Sequence, residues 1–191
     1  GENMIWADKK GNIGWQVVGI VPIRKNFSGY VPIPGDGRYE WSGYLPIKER
    51  AHILNPSKNF FATANQHVTP DTYEHWDAVG YTWADPYRGD RINAVLNEKN
   101  NISLEDMGQL QTDYFSIPAS TLTPLLSKIK FEDSFTNAAK QFLMNWNFKL
   151  DKNSIAAGIY VAWEKQITFN AQKYFVPEAI QPWINLQLTT I

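Results

Sequence analysis

Two short apolar runs open the chain, Met4-Ile5-Trp6-Ala7 and residues 13–23, and the polar stretch Asp8-Lys9-Lys10-Gly11-Asn12 separates them. Runs of this length, rich in Val, Ile and Trp and divided by turn residues, predict a β-hairpin. Gly11 supplies the positive φ that a tight hairpin loop demands, and Asn12 tolerates the same region. Residues 24–56 then carry Gly29, Pro32, Pro34, Gly35, Gly37, Pro46 and Pro56 among Tyr39, Trp41 and Tyr44. That mixture predicts an ordered surface loop without regular structure, since large rings need something to pack against. Residues 59–64 read as one short buried strand, whose small residues Ala62-Thr63-Ala64 lead into Asn65.

Near residue 90 the period changes from that of strands to that of helices. Ile92, Val95 and Leu96 follow the i, i+3, i+4 rule, and Ser103-Leu104-Glu105-Asp106 resembles a capping box that opens a helix running through Thr112. Residues 119–129, 134–148 and 155–169 place apolar side chains at helical spacing, among them Phe135, Ala138, Ala139, Phe142, Leu143 and Trp146. Pro118, Pro177 and Pro182 punctuate the boundaries. Ten of the 12 glycines, seven of the 11 prolines and all three histidines precede residue 90, so the two textures also differ in composition. The expected class is α+β, with a strand- and loop-rich part over residues 1–90 and a mainly helical part over residues 91–191, together one truncated domain. The sequence contains no internal repeat and no low-complexity tract.

Composition narrows the partners more than the chemistry. With 43% hydrophobic and 19% charged residues the 191-residue chain has the material for a core. A net charge of −1 leaves no basic field for nucleic acid. No apolar stretch approaches the roughly 20 residues that span a bilayer, and no secretory signal is recognisable, although Gly1 reads as a tag remnant of a trimmed chain. The absence of cysteine removes disulfides, thiolate catalysis and Cys-based zinc sites and leaves the redox compartment open.

Among possible chemistries, His67, Asp71, Glu74, His75 and Asp77 fall within eleven residues and invite a zinc reading. The two histidines are eight apart with Pro70 between them, which matches no helix-borne zinc motif, so a solvated polar loop is preferred. No glycine-rich loop leads into a helix with phosphate-cradling spacing, and no G-x-S-x-G elbow occurs. Trp15, Trp41, Trp76 and Trp83 suggest an aromatic ligand platform, against which stands ordinary burial of tryptophan. Asn65 on spacing alone is a turn residue ending a strand, and Arg91 a surface arginine at a helix start.

One ordered set of motifs goes further. Asn3-Met4-Ile5-Trp6-Ala7-Asp8-Lys9-Lys10-Gly11-Asn12-Ile13-Gly14-Trp15 is followed by Gly19, Pro22 and Arg24, then by Val31-Pro32-Ile33-Pro34-Gly35, Tyr39-Glu40-Trp41-Ser42-Gly43-Tyr44 and Asn55-Pro56. Ala62-Thr63-Ala64-Asn65-Gln66 and Asp85-Pro86-Tyr87-Arg88-Gly89-Asp90-Arg91-Ile92 complete it. This series, covering about residues 3–113, resembles the penicillin acylase family of N-terminal-nucleophile amidohydrolases, which includes penicillin amidases and acyl-homoserine lactone acylases. The resemblance implies a fragment from the middle of the β-chain of a four-layer αββα hydrolase, periplasmic or secreted, that works with the remaining α- and β-chain parts of the same precursor.

In that family the serine that begins the β-chain attacks an amide carbonyl with its own α-amine as base, and the acyl-enzyme is then hydrolysed. That serine is not in this segment, so the fragment alone is expected to be inactive and, with open sheet edges, to self-associate. The resemblance implies that Asn65 is the oxyanion-hole asparagine, projecting into a cleft, and that Arg91 orients groups near substrate and nucleophile. If the Asp85-Pro86-Tyr87 region is a three-residue insertion, it further implies a structural calcium bound by Asp77 and the Gly29 carbonyl, with the other ligands outside this segment. The expected substrate is an acyl amide, a penicillin-like β-lactam amide or an N-acyl homoserine lactone. The competing reading is a non-catalytic ligand-binding module whose recognition surface is the aromatic-rich loop of residues 30–44.

Overall fold

The computed structural model describes residues 2–80 and 82–183, apart from the side chains of Asp77 and Trp183. Strands and helices are mixed as an α+β chain requires, and they separate into two compact units, Gly1–Gly89 and Asp90–Ile191.

The first unit is built on the predicted hairpin. Strand β1 (Glu2–Ala7) pairs antiparallel with β2 (Ile13–Val18), in a register that sets Ile5 opposite Trp15. The turn between them is closed by Asp8, whose carboxylate accepts from the backbone N–H groups of Lys10 (2.8 Å) and Asn12 (2.9 Å) and from the Asn12 carboxamide (2.7 Å). These bonds, the Asn12 side chain foremost, hold the Asp8 carboxyl below its usual pKa. Gly11 sits at φ +84 as the turn demands.

Three further strands form, one at the end of the second apolar run and two, at residues 41–44 and 52–54, inside the region expected to lack regular structure. β3 (Pro22–Arg24) pairs with β4 (Trp41–Tyr44) as a separate ribbon, and β5 (His52–Leu54) adds to the free edge of β2. Each is only three or four residues long, too short for its period to be read. The strand expected over residues 59–64 does not form. Asn59 (φ 59) and Asn65 (φ 68) bracket it in left-handed conformations, and the Gln66 side chain takes the Ala64 N–H (2.6 Å) that a ladder would have used.

Trp15, Val17, Val21, Leu45, Ala51 and Ala78 form the first core. Trp15 stacks on Phe61 with centroids 4.8 Å apart, and its indole N–H donates to the Asn3 carboxamide (2.6 Å). Trp15 is therefore a core residue rather than part of a ligand platform, while Trp41 lies exposed against Tyr44. A four-residue helix, α1 (Trp76–Val79), closes this unit against β3.

Helix α2 (Tyr87–Glu98) crosses the division between the units. Beyond it α3 (Leu104–Gln111) carries the predicted capping box, with the Ser103 hydroxyl accepting from the Asp106 N–H and the Asp106 carboxylate accepting from the Ser103 N–H. The helix predicted over 119–129 is split into α4 (Ile117–Leu122) and a 3-10 turn, Thr123–Lys128, because Pro124 has no N–H to continue the ladder. Helix α5 (Ser134–Met144) stops short of Phe148, which sits at φ 60, and α6 (Ile155–Phe175) runs past the expected Phe169. Ala119, Leu126, Leu143, Trp146, Ala156, Ala157 and Tyr160 make the second core. No helix among the described residues is long and apolar enough to cross a membrane.

Candidate active site

The asparagine singled out by the sequence is delivered by a chain of contacts that begins at the hairpin. The Asn3 carboxamide accepts from Trp15 and donates to the Thr63 hydroxyl (3.1 Å), while Phe61 lies flat on the Trp15 indole. These two attachments fix residues 61–63 against the sheet without a strand ladder. Asn65 follows at the surface, exposed, at a positive φ that asparagine adopts more readily than other residues with a Cβ. Its backbone carbonyl accepts from the Ala84 N–H (2.9 Å).

Arg88, in the first turn of α2, closes the arrangement. One guanidinium nitrogen donates both to the Ala64 carbonyl (2.7 Å) and to the Asn65 carboxamide oxygen (2.9 Å). A guanidinium has only donors, so the atom it meets must be the oxygen, and this fixes which way round the carboxamide lies. The Asn65 NH2 group is left without a protein partner among the described residues. Gln66, buried, braces the other side through Ala64, and Gly89 leaves room for it: a Cβ at Gly89 would fall 2.3 Å from the Gln66 amide nitrogen.

Arg91 is placed differently. Its guanidinium bonds one Asp113 oxygen (2.7 and 2.6 Å) and lies 4.6 Å from the centre of the Phe115 ring. Partial burial opposes ionisation of Asp113, but the Phe115 N–H and the Arg91 charge outweigh it and hold the carboxyl below its ordinary pKa. Asn65 belongs to the first unit and Arg91 to the second. The arginine joined to Asn65 is Arg88, which stands inside the quoted motif Pro86-Tyr87-Arg88-Gly89 but was not singled out from it. One signal could have found it: Arg88 precedes Arg91 by three positions, a single helical turn on the same face.

Of the candidate zinc ligands, His67 and His75 are each set against other groups. His67 lies between the rings of Trp76 (4.4 Å) and Trp83 (5.2 Å), and His75 faces Glu49 at 3.8 Å. Among the described residues no three His, Asp or Glu side chains are grouped to hold a metal. For calcium, the Asp77 side chain lies outside what is described. Gly29 (φ +85) borders a cavity of about 220 Å³ together with Arg24, Ser28, Tyr30 and Gly80. That wall also carries Pro22 and Val79, and the further ligands that the resemblance implies for calcium lie outside this segment.

The Penicillin amidase family model matches residues 1–189. The penicillin acylase 2 proenzyme of Pseudomonas sp. (strain SE83) is 29% identical over 168 residues, 87% of this chain and 21% of that protein. The acyl-homoserine lactone acylase QuiP of Pseudomonas syringae pv. tomato is 32% identical over 190 residues, 92% of this chain and 22% of its own. The chain thus spans about a fifth of the length of the curated relatives it matches. A solved structure, the thermostable penicillin G acylase from Alcaligenes faecalis, superposes with a TM-score of 0.71 at 22% identity, over 94% of this chain and 34% of that one, which shows the shared fold. With the match running over nearly its whole length, the chain belongs to the penicillin amidase family.

Proposed function

We propose that this chain is the oxyanion-stabilising part of an acylase that removes an acyl group from an amide. The observation that carries the reading is the Asn65 carboxamide, exposed at the surface with its oxygen taken by Arg88 and its NH2 group unspent. When a nucleophile adds to an amide carbonyl, negative charge gathers on the oxygen. A neutral N–H held rigidly in place stabilises that charge without reorganising at the moment of reaction. Because the oxygen side of Asn65 is tethered, its donor needs no search for orientation.

The attacking group in this reading is the serine that starts the family's β-chain, with its α-amine as base, supplied by the rest of the precursor. Its hydroxyl adds to the carbonyl carbon and gives its proton to the amine. The tetrahedral species then expels the leaving amine, which takes the proton from the α-ammonium, and water, deprotonated by the freed α-amine, releases the acid from the acyl-enzyme. The substrate class is an acyl amide of the penicillin or N-acyl homoserine lactone kind, the compartment periplasmic or secreted. The direct test is to incubate the processed full-length protein with an N-acyl amine and measure its intact mass. Acyl transfer to the serine that begins the β-chain is the expected result, and turnover without any such intermediate would remove the reading.

The second reading, a binding module, draws on Tyr30, Val31, Trp41 and Tyr44, each more than half exposed. It separates from the first because full-length protein would bind acylated amines without releasing acid.

A further inference from the structure

We propose that Asn3 and Thr63 are positioning residues for the Asn65 donor, a step that rests on the reading of Asn65 as the oxyanion residue. Asn3 stands in β1 opposite Val17 of β2, so the ladder of the hairpin sets its origin. The buried Trp15 indole has only an N–H to offer, and the Asn3 atom it meets at 2.6 Å must therefore be the carboxamide oxygen. This turns the NH2 group of Asn3 to the Thr63 hydroxyl, 3.1 Å away and 60 residues further along. Threonine is branched at Cβ and stiff about χ1, so a bond that holds its hydroxyl also holds its backbone.

The segment that leads into Asn65 has no strand ladder, and single bonds from outside take its place. The Gln66 oxygen accepts from the Ala64 N–H, Arg88 donates to the Ala64 carbonyl and to the Asn65 carboxamide oxygen, and the Ala84 N–H meets the Asn65 carbonyl. Those partners all follow Asn65 in the chain. Asn3 acts from the other side, on the residue before Ala64, and ties the segment to the hairpin. Arg88 thus fixes how the carboxamide is turned on its backbone, and the Asn3–Thr63 bond fixes where that backbone lies against the sheet. Both matter to a preorganised donor, because a displacement of about 1 Å can cost about 10² in rate. Neither Asn3 nor Thr63 is required to touch substrate; they act through Asn65.

The test uses the processed full-length protein and an N-acyl amine. Thr63→Val keeps the shape of the side chain and removes the hydroxyl. It should lower kcat about tenfold, leave KM within about twofold, and weaken a transition-state analogue in proportion to kcat/KM. Thr63→Ser keeps the hydroxyl and should restore kcat to within about threefold of the parent. Asn3→Ala also strands the Trp15 N–H and so lowers the thermal midpoint further, yet its kcat should match that of Thr63→Val. The double variant should be no slower than the slower single one, because both substitutions remove one link. An active parent whose kcat survives Thr63→Val overturns the positioning role and leaves the acylase reading intact. A Thr63→Ser variant as slow as Thr63→Val does the same, since packing rather than the hydroxyl is then what counts. A parent that forms no acyl-enzyme overturns the reading, and the role with it. Should Thr63→Val fail to fold, Asn3→Ala against the parent decides by the same split between kcat and KM.

Discussion

Arg88 reaches back over 23 residues to hold the carboxamide oxygen of Asn65 at 2.9 Å, and with the same nitrogen it holds the carbonyl of Ala64 at 2.7 Å. Bonding to two successive residues fixes both the side chain of Asn65 and the backbone on which it stands. The left-handed φ of Asn65 makes this bracing consequential, because an unfavourable backbone state persists only where its surroundings impose it.

Asn65→Ala in the full-length enzyme is expected to lower kcat by about 10²–10³, the usual effect of removing one oxyanion donor, while KM stays within a few-fold. Alanine is less at ease than asparagine at φ 68 and loses the Arg88 bond, so the thermal midpoint should fall by a few degrees, too little to account for a loss of kcat at assay temperature. Initial rates on a chromogenic N-acyl amine check the first statement and a melting scan the second. A near-normal kcat would withdraw the assigned role.

Arg88→Lys tests the tether separately. A lysine carries the charge but lacks the planar fork, and an ammonium at that distance cannot be relied on to hold two acceptors in one geometry. The expected outcome is a kcat lowered about tenfold with KM unchanged, and a transition-state analogue weakened in proportion to kcat/KM. If the analogue binds as tightly as before, Arg88 is a structural bond to Ala64 and nothing more.

Arg91 and Asp113 predict a different dependence. Asp113 has its pKa lowered in the folded state, so it contributes stability that is present above its unfolded pKa of about 4 and is lost as pH falls through the lower folded value. Asp113→Asn should therefore melt below the parent at pH 7, and the gap should narrow towards pH 3. Melting curves across that range would show it. A gap that is constant with pH would mean that packing rather than charge is what the substitution removes.

How much of this was legible in the sequence depends on the range of the interactions. The hairpin was readable because a five-residue turn joins its two strands, and the Asp8–Asn12 turn and the Ser103 capping box because every partner lies within four residues. The strand expected over residues 59–64 failed because its fate was decided by non-local bonds, those of Phe61 to Trp15 and Thr63 to Asn3. Small apolar residues in a row signal burial but not which backbone they use to reach it. Strands β3, β4 and β5 were hidden for the same reason, being defined by distant pairing rather than by a period of their own.

At the candidate site, Asn65 could be singled out by its motif, but spacing narrows its arginine only to a pair. Arg88 and Arg91 lie one helical turn apart, and only the fold distributes them, one to Asn65 and the other to Asp113 and Phe115. The aromatic residues divide likewise: Trp15 goes to the core and Trp76 and Trp83 to the flanks of His67, and no spacing rule separates those fates.

Gly89 offers a prediction whose sign runs against simple propensity. Replacing a glycine inside an exposed helix by alanine ordinarily stabilises by about 1 kcal/mol, through reduced backbone freedom in the unfolded chain. Gly89 lies within α2 but is buried, and an added Cβ would stand 2.3 and 2.4 Å from the amide nitrogen and carbon of Gln66. Gln66 cannot swing away freely, because it is itself buried and its oxygen holds the Ala64 N–H at 2.6 Å. Overpacking of this kind costs about 1–3 kcal/mol, enough to exceed the propensity gain. Gly89→Ala should therefore lower the thermal midpoint, and by displacing Gln66 it should loosen Ala64 and reduce kcat as well. A Gln66→Ala, Gly89→Ala double variant removes the clash, so a midpoint higher than that of Gln66→Ala alone is expected. If Gly89→Ala by itself raises the midpoint, the contact between Gly89 and Gln66 does not constrain the loop that carries Asn65.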